Sequence, residues 1–172
     1  MIRLGPFQLE SIIGRGGMAE VWAARHVETG TPVAIKVLTS ERARDAMFVR
    51  ALRDEVRAVA GLDHPHIVTV HDHGVVPLGA AEESDGALTA GSPYLVMELA
   101  SGGTLAGPPS PDSYSELRAI LTTLLGALAH AHARGLVHRD IKPANVLRCV
   151  EGDVRPGLKL ADFGVARAHE PD

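Results

Sequence analysis

His138-Arg139-Asp140-Ile141-Lys142-Pro143-Ala144-Asn145 is the stretch that decides the fold, and Leu158-Lys159-Leu160-Ala161-Asp162-Phe163-Gly164 follows it. The octet sets an Asp, a Lys two residues on and an Asn five residues on into apolar surroundings. A polar turn is the plain alternative, and so dense a cluster of acid, cation and amide argues against it. The second stretch is an apolar strand that ends on an acid. An isolated Asp-Phe-Gly is common by chance. Here Asp162 adds the second carboxylate that a phosphate-bound Mg2+ needs.

Upstream of the octet, Leu117, Ile120, Leu121, Leu124, Leu125, Leu128 and Ala131 recur at helical spacing, which predicts a helix thoroughly buried on one side. Asp112 and Ser113 are candidate caps for it. The stretch from Ser101-Gly102-Gly103 to Pro111 is full of helix breakers and has no period. Further back, Phe7–Ile13, Glu20–Arg25 and Thr31–Leu38 read as strands, the last reached through a turn at Glu28-Thr29-Gly30. From Arg42 to Ala60 the period becomes helical, with Phe48, Leu52 and Val59 on one face and Arg50, Arg53, Asp54 and Arg57 opposite. His66–Val70 and Tyr94–Leu99 are apolar runs of strand length. The residues between them, Val76–Pro93, read as a flexible insertion. Leu136–Arg167 reads as short strands and loops. The order is an α+β pattern in two lobes, residues 1–100 and 101–172, meeting near residues 98–103.

Two features of the first lobe carry further chemistry. Gly14, Gly16 and Gly17 lie between two strands, where missing side chains let backbone N–H groups approach phosphate oxygens. A glycine-rich hairpin turn is an equal reading of those residues alone. It is neither a Rossmann fingerprint, since a strand follows, nor a Walker A loop, since no Gly-Lys-Ser/Thr follows. Val33-Ala34-Ile35-Lys36 ends an apolar run on a lysine that could simply reach out to water. Glu55, however, falls within the apolar stripe of the 42–60 helix, where an acid needs a cationic partner. Lys36 is the candidate.

Composition narrows the function. The chain has 172 residues, 45% of them hydrophobic but only 3% aromatic, so the expected core is aliphatic. A formal charge of −4 argues against a nucleic-acid or anionic-membrane surface. The single cysteine, Cys149, excludes a disulfide framework, reads as a plain strand-end residue, and suits a reduced cytoplasmic setting. No stretch approaches the roughly 20 apolar residues of a membrane span, and the N-terminus has no signal core. The histidine pairs 64/66, 71/73 and 130/132 lack an accompanying Cys or carboxylate cluster at ligand spacing, so a metal site is not expected there.

Taken together, the glycine loop, VAIK, HRDIKPAN and DFG resemble the protein kinase family in order and spacing. Gly14-Arg15-Gly16-Gly17-Met18-Ala19-Glu20-Val21 and Leu62-Asp63-His64-Pro65-His66-Ile67-Val68 look most like the bacterial receptor-type Ser/Thr kinases. The resemblance spans Phe7 to Arg167. It implies a two-lobe kinase fold with a complete N-lobe and an incomplete C-lobe, and ATP and Mg2+ as co-substrate and cofactor. By the same resemblance Ile13, Gly14, Arg15, Gly16, Gly17, Met18, Ala19, Glu20 and Val21 cover the phosphates. Lys36 contacts the α and β phosphates and pairs with Glu55. Met97 matches the gatekeeper, the backbones of Glu98 and Ala100 bind adenine, and Val21, Ala34 and Leu147 sandwich its ring. Asp140 is the catalytic base, Lys142 steadies the phosphoryl group, and Asn145 and Asp162 hold Mg2+. The implied partner is a protein substrate with a Ser or Thr hydroxyl.

Several positions depart from the family pattern. Ala19 stands where a third glycine is usual. Val76–Pro93 and the Arg148–Gly157 hairpin are long, while Gly107–Pro111 is too short for the usual helix. After Asp162-Phe163-Gly164 the sequence runs only to Asp172, without an activation loop or Ala-Pro-Glu motif. The expectations are therefore a protein Ser/Thr kinase impaired in isolation or, alternatively, a Mg·ATP-binding regulatory module or a non-functional fragment. Exposed apolar C-lobe surface and self-association are expected with it.

Overall fold

The computed structural model describes residues 2–40 and 44–163, and within helix 46–60 it leaves the side chains of residues 46, 51, 54 and 55 undescribed. The strands are β1 (Arg3–Leu4), β2 (Phe7–Arg15), β3 (Ala19–His26), β4 (Pro32–Leu38), β5 (Val70–Val75), β6 (Pro93–Glu98), β7 (Val146–Cys149) and β8 (Gly157–Leu160). The helices are α1 (Ala46–Ala60), α2 (Leu78–Glu83) and α3 (Tyr114–His132). The chain divides into two compact units: Met1–Arg53 with Val70–Leu99, and Asp54–Thr69 with Ala100–Asp172.

The first unit is built on an antiparallel sheet of order β1-β2-β3-β4-β6-β5. Alternation along β4 sends Val33, Ile35 and Val37 into a core with Leu4, Phe7, Leu9, Trp22, Ala24, Tyr94 and Val96. That core is mainly aliphatic, and three of the chain's few aromatic residues sit in it. Gly74 on β5 is required there, because a Cβ would lie 2.6 Å from the Tyr94 ring.

Residues 76–92 correct the expectation of a flexible insertion. Val76, Ala80 of α2 and Leu88 are buried in the sheet's own core, and that burial fixes the segment. Its base is closed by Val76 N donating to Ser92 O at 2.8 Å. Inside it, Ser84 Oγ donates to Ala81 O at 2.6 Å and accepts from Leu88 N at 2.9 Å. Ser84 and Ser92 are both buried.

A second correction concerns His66–Val70. Turn bonding at Ile67 N to His64 O prevents a strand there, and Ile67 instead makes a single parallel bridge to Leu160. The edge strand is the more polar Val70–Val75, paired with β6. Helix α1 follows its expected face in part: Leu52 and Val59 are buried together with Val56, Phe48 is half-buried, and Arg50, Arg53 and Arg57 are exposed.

In the second unit α3 begins on a reciprocal cap. Ser113 Oγ accepts from Glu116 N at 3.2 Å, and Glu116 Oε2 accepts from Asp112 N at 3.0 Å. The helix is less buried than its leucine spacing predicts. Ala127 and Ala131 are buried, whereas Leu117, Leu121 and Leu125 form a stripe 42–65% exposed. The helix therefore packs on its small residues and leaves these leucines without cover among the described residues. The hairpin β7–β8 completes the unit's regular structure.

Candidate active site

Strand register gathers the first group of candidate residues. Val21 lies opposite Lys36 and Ala34 opposite Met97, so Val21, Ala34, Lys36 and Met97 share the sheet face turned away from the apolar core. Ala34, Met97 and Glu98 are buried; Val21 and Lys36 are half-buried. The turn from β2 to β3 leaves open space around Gly17 and contact only with the Ala19 carbonyl beside Gly16. Gly16 N–H is occupied by that carbonyl at 2.9 Å. Arg15 and Glu20 pair across the turn at 3.3 Å; with Arg15 70% exposed, the pair adds little stability. Ile13 and Met18 are exposed, and Ala19 is half-buried. The Glu55 side chain lies outside the described residues, as does Gly164, so the Lys36–Glu55 pairing expected from the helical wheel is not among the contacts described.

The second unit holds the polar cluster, and here the contacts are direct. Lys142 Nζ lies 2.7 Å from Asp140 Oδ2. Asn145 Nδ2 donates to Asp140 O at 2.8 Å and to Asp140 Oδ2 at 3.0 Å. Pro143–Asn145 forms one 3-10 turn, which brings the amide back over the acid. The Lys142 hydrogen bond, followed by that of Asn145, holds the Asp140 carboxyl below its ordinary pKa. Asp140 is thus ionised near neutrality, as a proton acceptor must be. Asn145 is buried, and its amide nitrogen is committed to Asp140.

His138 supports this loop, a role that the sequence did not assign. Its Nδ1 accepts from Asp140 N–H at 3.3 Å, so its Nε2 carries the proton and donates to Ala161 O at 2.8 Å. Burial pushes the His138 pKa down despite that carbonyl, which keeps the ring neutral. Its ring also packs on Phe163, centroids 4.6 Å apart. Ala161 N in turn donates to Asn145 O at 2.8 Å. One ring and one backbone bond therefore tie the Asp140 loop to the residue preceding Asp162. Arg139 and Asp162 both adopt left-handed backbone, with φ of 68° and 63°. Side-chain-bearing residues take that conformation at a cost, and it recurs at functional sites. Leu147 on β7 and Ala100 are half-buried in the same unit. An ionised acid beside a cation, an orienting amide and a nearby second carboxylate can accept a hydroxyl proton and steady anionic oxygens.

The profile of the protein kinase domain matches residues 7–172. The chain is 41% identical over 167 residues to the serine/threonine-protein kinase PknA of Mycobacterium tuberculosis, covering 95% of this chain and 36% of that protein. It is 38% identical over 167 residues to a probable serine/threonine-protein kinase, PknB, of Bifidobacterium longum, covering 95% of this chain and 23% of that protein. It therefore spans roughly a quarter to a third of these curated relatives. Among solved structures, the PknI kinase domain of Mycobacterium tuberculosis superposes with a TM-score of 0.74 at 32% identity, over 96% of this chain and 62% of that one. With the polar loop, the strained acid and the sheet face all present, the chain belongs to the protein kinase domain family.

Proposed function

We propose that this chain carries out ATP-dependent phosphoryl transfer to Ser or Thr hydroxyls of protein substrates. The observation that carries the reading is the Asp140–Lys142–Asn145 cluster. Asp140 accepts the proton of the substrate hydroxyl and orients its oxygen, while Lys142 offsets charge on the phosphoryl oxygens and Asn145 fixes the carboxylate. Lys36 and the backbone of residues 13–21 bind the phosphates, and Val21, Ala34 and Leu147 flank the adenine ring, whose edge meets the backbones of Glu98 and Ala100. Met97 takes the gatekeeper position in this reading.

The donor set fits Mg2+. Asn145 Nδ2 is committed to Asp140, which leaves its side-chain oxygen as the available donor, and Asp162 supplies a carboxylate. Bound there, the ion would neutralise phosphate charge. Among the described residues no helix is long and apolar enough to cross a membrane. A cytoplasmic setting agrees with the lone buried thiol of Cys149. The exposed Leu117, Leu121 and Leu125 favour self-association, which sedimentation over a concentration series would reveal.

The test is γ-phosphate transfer to a generic protein substrate. Asp140→Asn should lower transfer about 100-fold or more while Mg·ATP still binds. Equal transfer by the variant would remove Asp140 from the chemistry. Binding without transfer in the parent chain would instead make it a nucleotide-binding module.

A further inference from the structure

Two departures of this sequence from the family pattern, the short segment after residue 100 and the long β7–β8 turn, meet in the structure. Residues 101–105 run antiparallel to β7. Gly102 N donates to Arg148 O at 2.9 Å, Arg148 N to Gly103 O at 2.8 Å and Leu105 N to Val146 O at 2.9 Å, and Thr104 bridges Leu147. The approach is too close for a side chain, since a Cβ on Gly102 would lie 2.7 Å from Arg148 O. Both ends of the segment are fastened by charge. At its far end the Arg148 guanidinium donates to Thr104 O, to Gly107 O at 3.1 Å, to Pro108 O at 3.5 Å and to Pro109 O at 2.5 Å. At its near end one carboxylate oxygen, Asp153 Oδ2, accepts from Ser101 N at 3.0 Å and from Val150 N at 2.8 Å.

We infer that Asp153 is a positioning residue for the adenine end of the nucleotide site: it holds Ser101, and hence the adjoining backbone of Ala100, at a fixed distance from Leu147. The inference rests on the nucleotide reading above, in which Ala100 and Leu147 contact adenine. Asp153 sits in the β7–β8 turn, and β7 carries Leu147. The carboxylate therefore links the two contacts through two short pieces of backbone. Burial opposes its charge, but the donors at Ser101 and Val150 outweigh that, so Asp153 keeps a lowered pKa and stays ionised at neutral pH.

The measurement is Mg·ATP affinity by calorimetry, together with amide hydrogen exchange at Ser101 and Gly102, on the chain and three variants. Asp153→Ala should weaken Mg·ATP about tenfold, as losing one charged hydrogen bond would, and speed exchange at Ser101. Asp153→Glu should recover most of the affinity, because the carboxylate can still reach the amide. Glu151→Ala removes an equal charge two residues away and should change neither quantity. Parent-like affinity in Asp153→Ala, or an equal loss in Glu151→Ala, overturns the inference. If the parent chain binds no Mg·ATP, the nucleotide reading falls. Exchange at Ser101 then decides the tether alone, and an unchanged rate in Asp153→Ala refutes it.

Discussion

Residues 76–92 and 101–109 look alike in sequence, both rich in glycine and small residues and both without period, yet different physics fixes them. The first is held by burial: Val76, Ala80 and Leu88 enter the sheet core of the first unit. The second is held by polar bonds to its backbone, from the Arg148 guanidinium, the Asp153 carboxylate and the neighbouring strand. Burial needs only a few apolar residues near the right place and is indifferent to charge. Polar tethering needs partners some 40 to 50 residues away and responds to their ionisation. The contrast teaches that lack of periodicity says nothing about order, because the contacts that fix such a segment need not recur at regular spacing.

That contrast can be broken most sharply at Leu88. Leu88→Ala should destabilise the first unit by about 2–5 kcal/mol in urea unfolding, through lost burial and the cavity left behind. A cost below about 1 kcal/mol would mean that the segment is not anchored by its apolar residues. Ser84→Ala is the next test. It leaves the buried Leu88 N–H without its 2.9 Å acceptor and should cost about 1–3 kcal/mol. An unchanged midpoint would show that the backbone finds another partner.

The smallest effect is a pH slope confined to the polar unit. His138 and His64 both have pKa values lowered chiefly by burial, His64 also by the neighbouring His130 and His66. Each takes up its proton more readily when unfolded, so their contribution is present above the ordinary histidine pKa near 6.5 and is lost as pH falls through it. Per proton the slope cannot exceed about 1.4 kcal/mol per pH unit. Protection factors, corrected for the slower intrinsic exchange at lower pH, should therefore fall around residues 138–161 between pH 7 and 5.5, while those of residues 76–92 stay unchanged. Equal loosening of both regions would erase the distinction.

The same contrast explains what could be read from the sequence. The strands carrying Val21, Ala34, Lys36 and Met97 were legible because alternation and apolar runs are local. So was the Asp140–Lys142–Asn145 cluster, since a 3-10 turn brings together residues at most five apart. The cap on α3 was legible to within one residue: Asp112 and Ser113 were both candidates, and Ser113 takes the role. Ile67 and Val68 looked like a strand because they are apolar, yet their bonding partner is Leu160, far along the chain. The leucines of α3 predicted a buried face, and the helix packs on Ala127 and Ala131 instead. His138 was visible only as part of a motif, because its role depends on Ala161 O. Asp153 had no signal beyond an acid in a glycine-bearing turn.

Arg139 and Asp162, with backbone angles that suit glycine, mark where two kinds of selection would diverge. Glycine at either place relieves conformational strain on the order of 1 kcal/mol, so a screen for thermal resistance alone would drift toward it. A screen for turnover would reject the change at 162, where glycine deletes the carboxylate proposed to meet the metal. Directed evolution of this chain should therefore harvest its heat tolerance from loops, surface positions and residue 139, and hold the codon for residue 162 fixed.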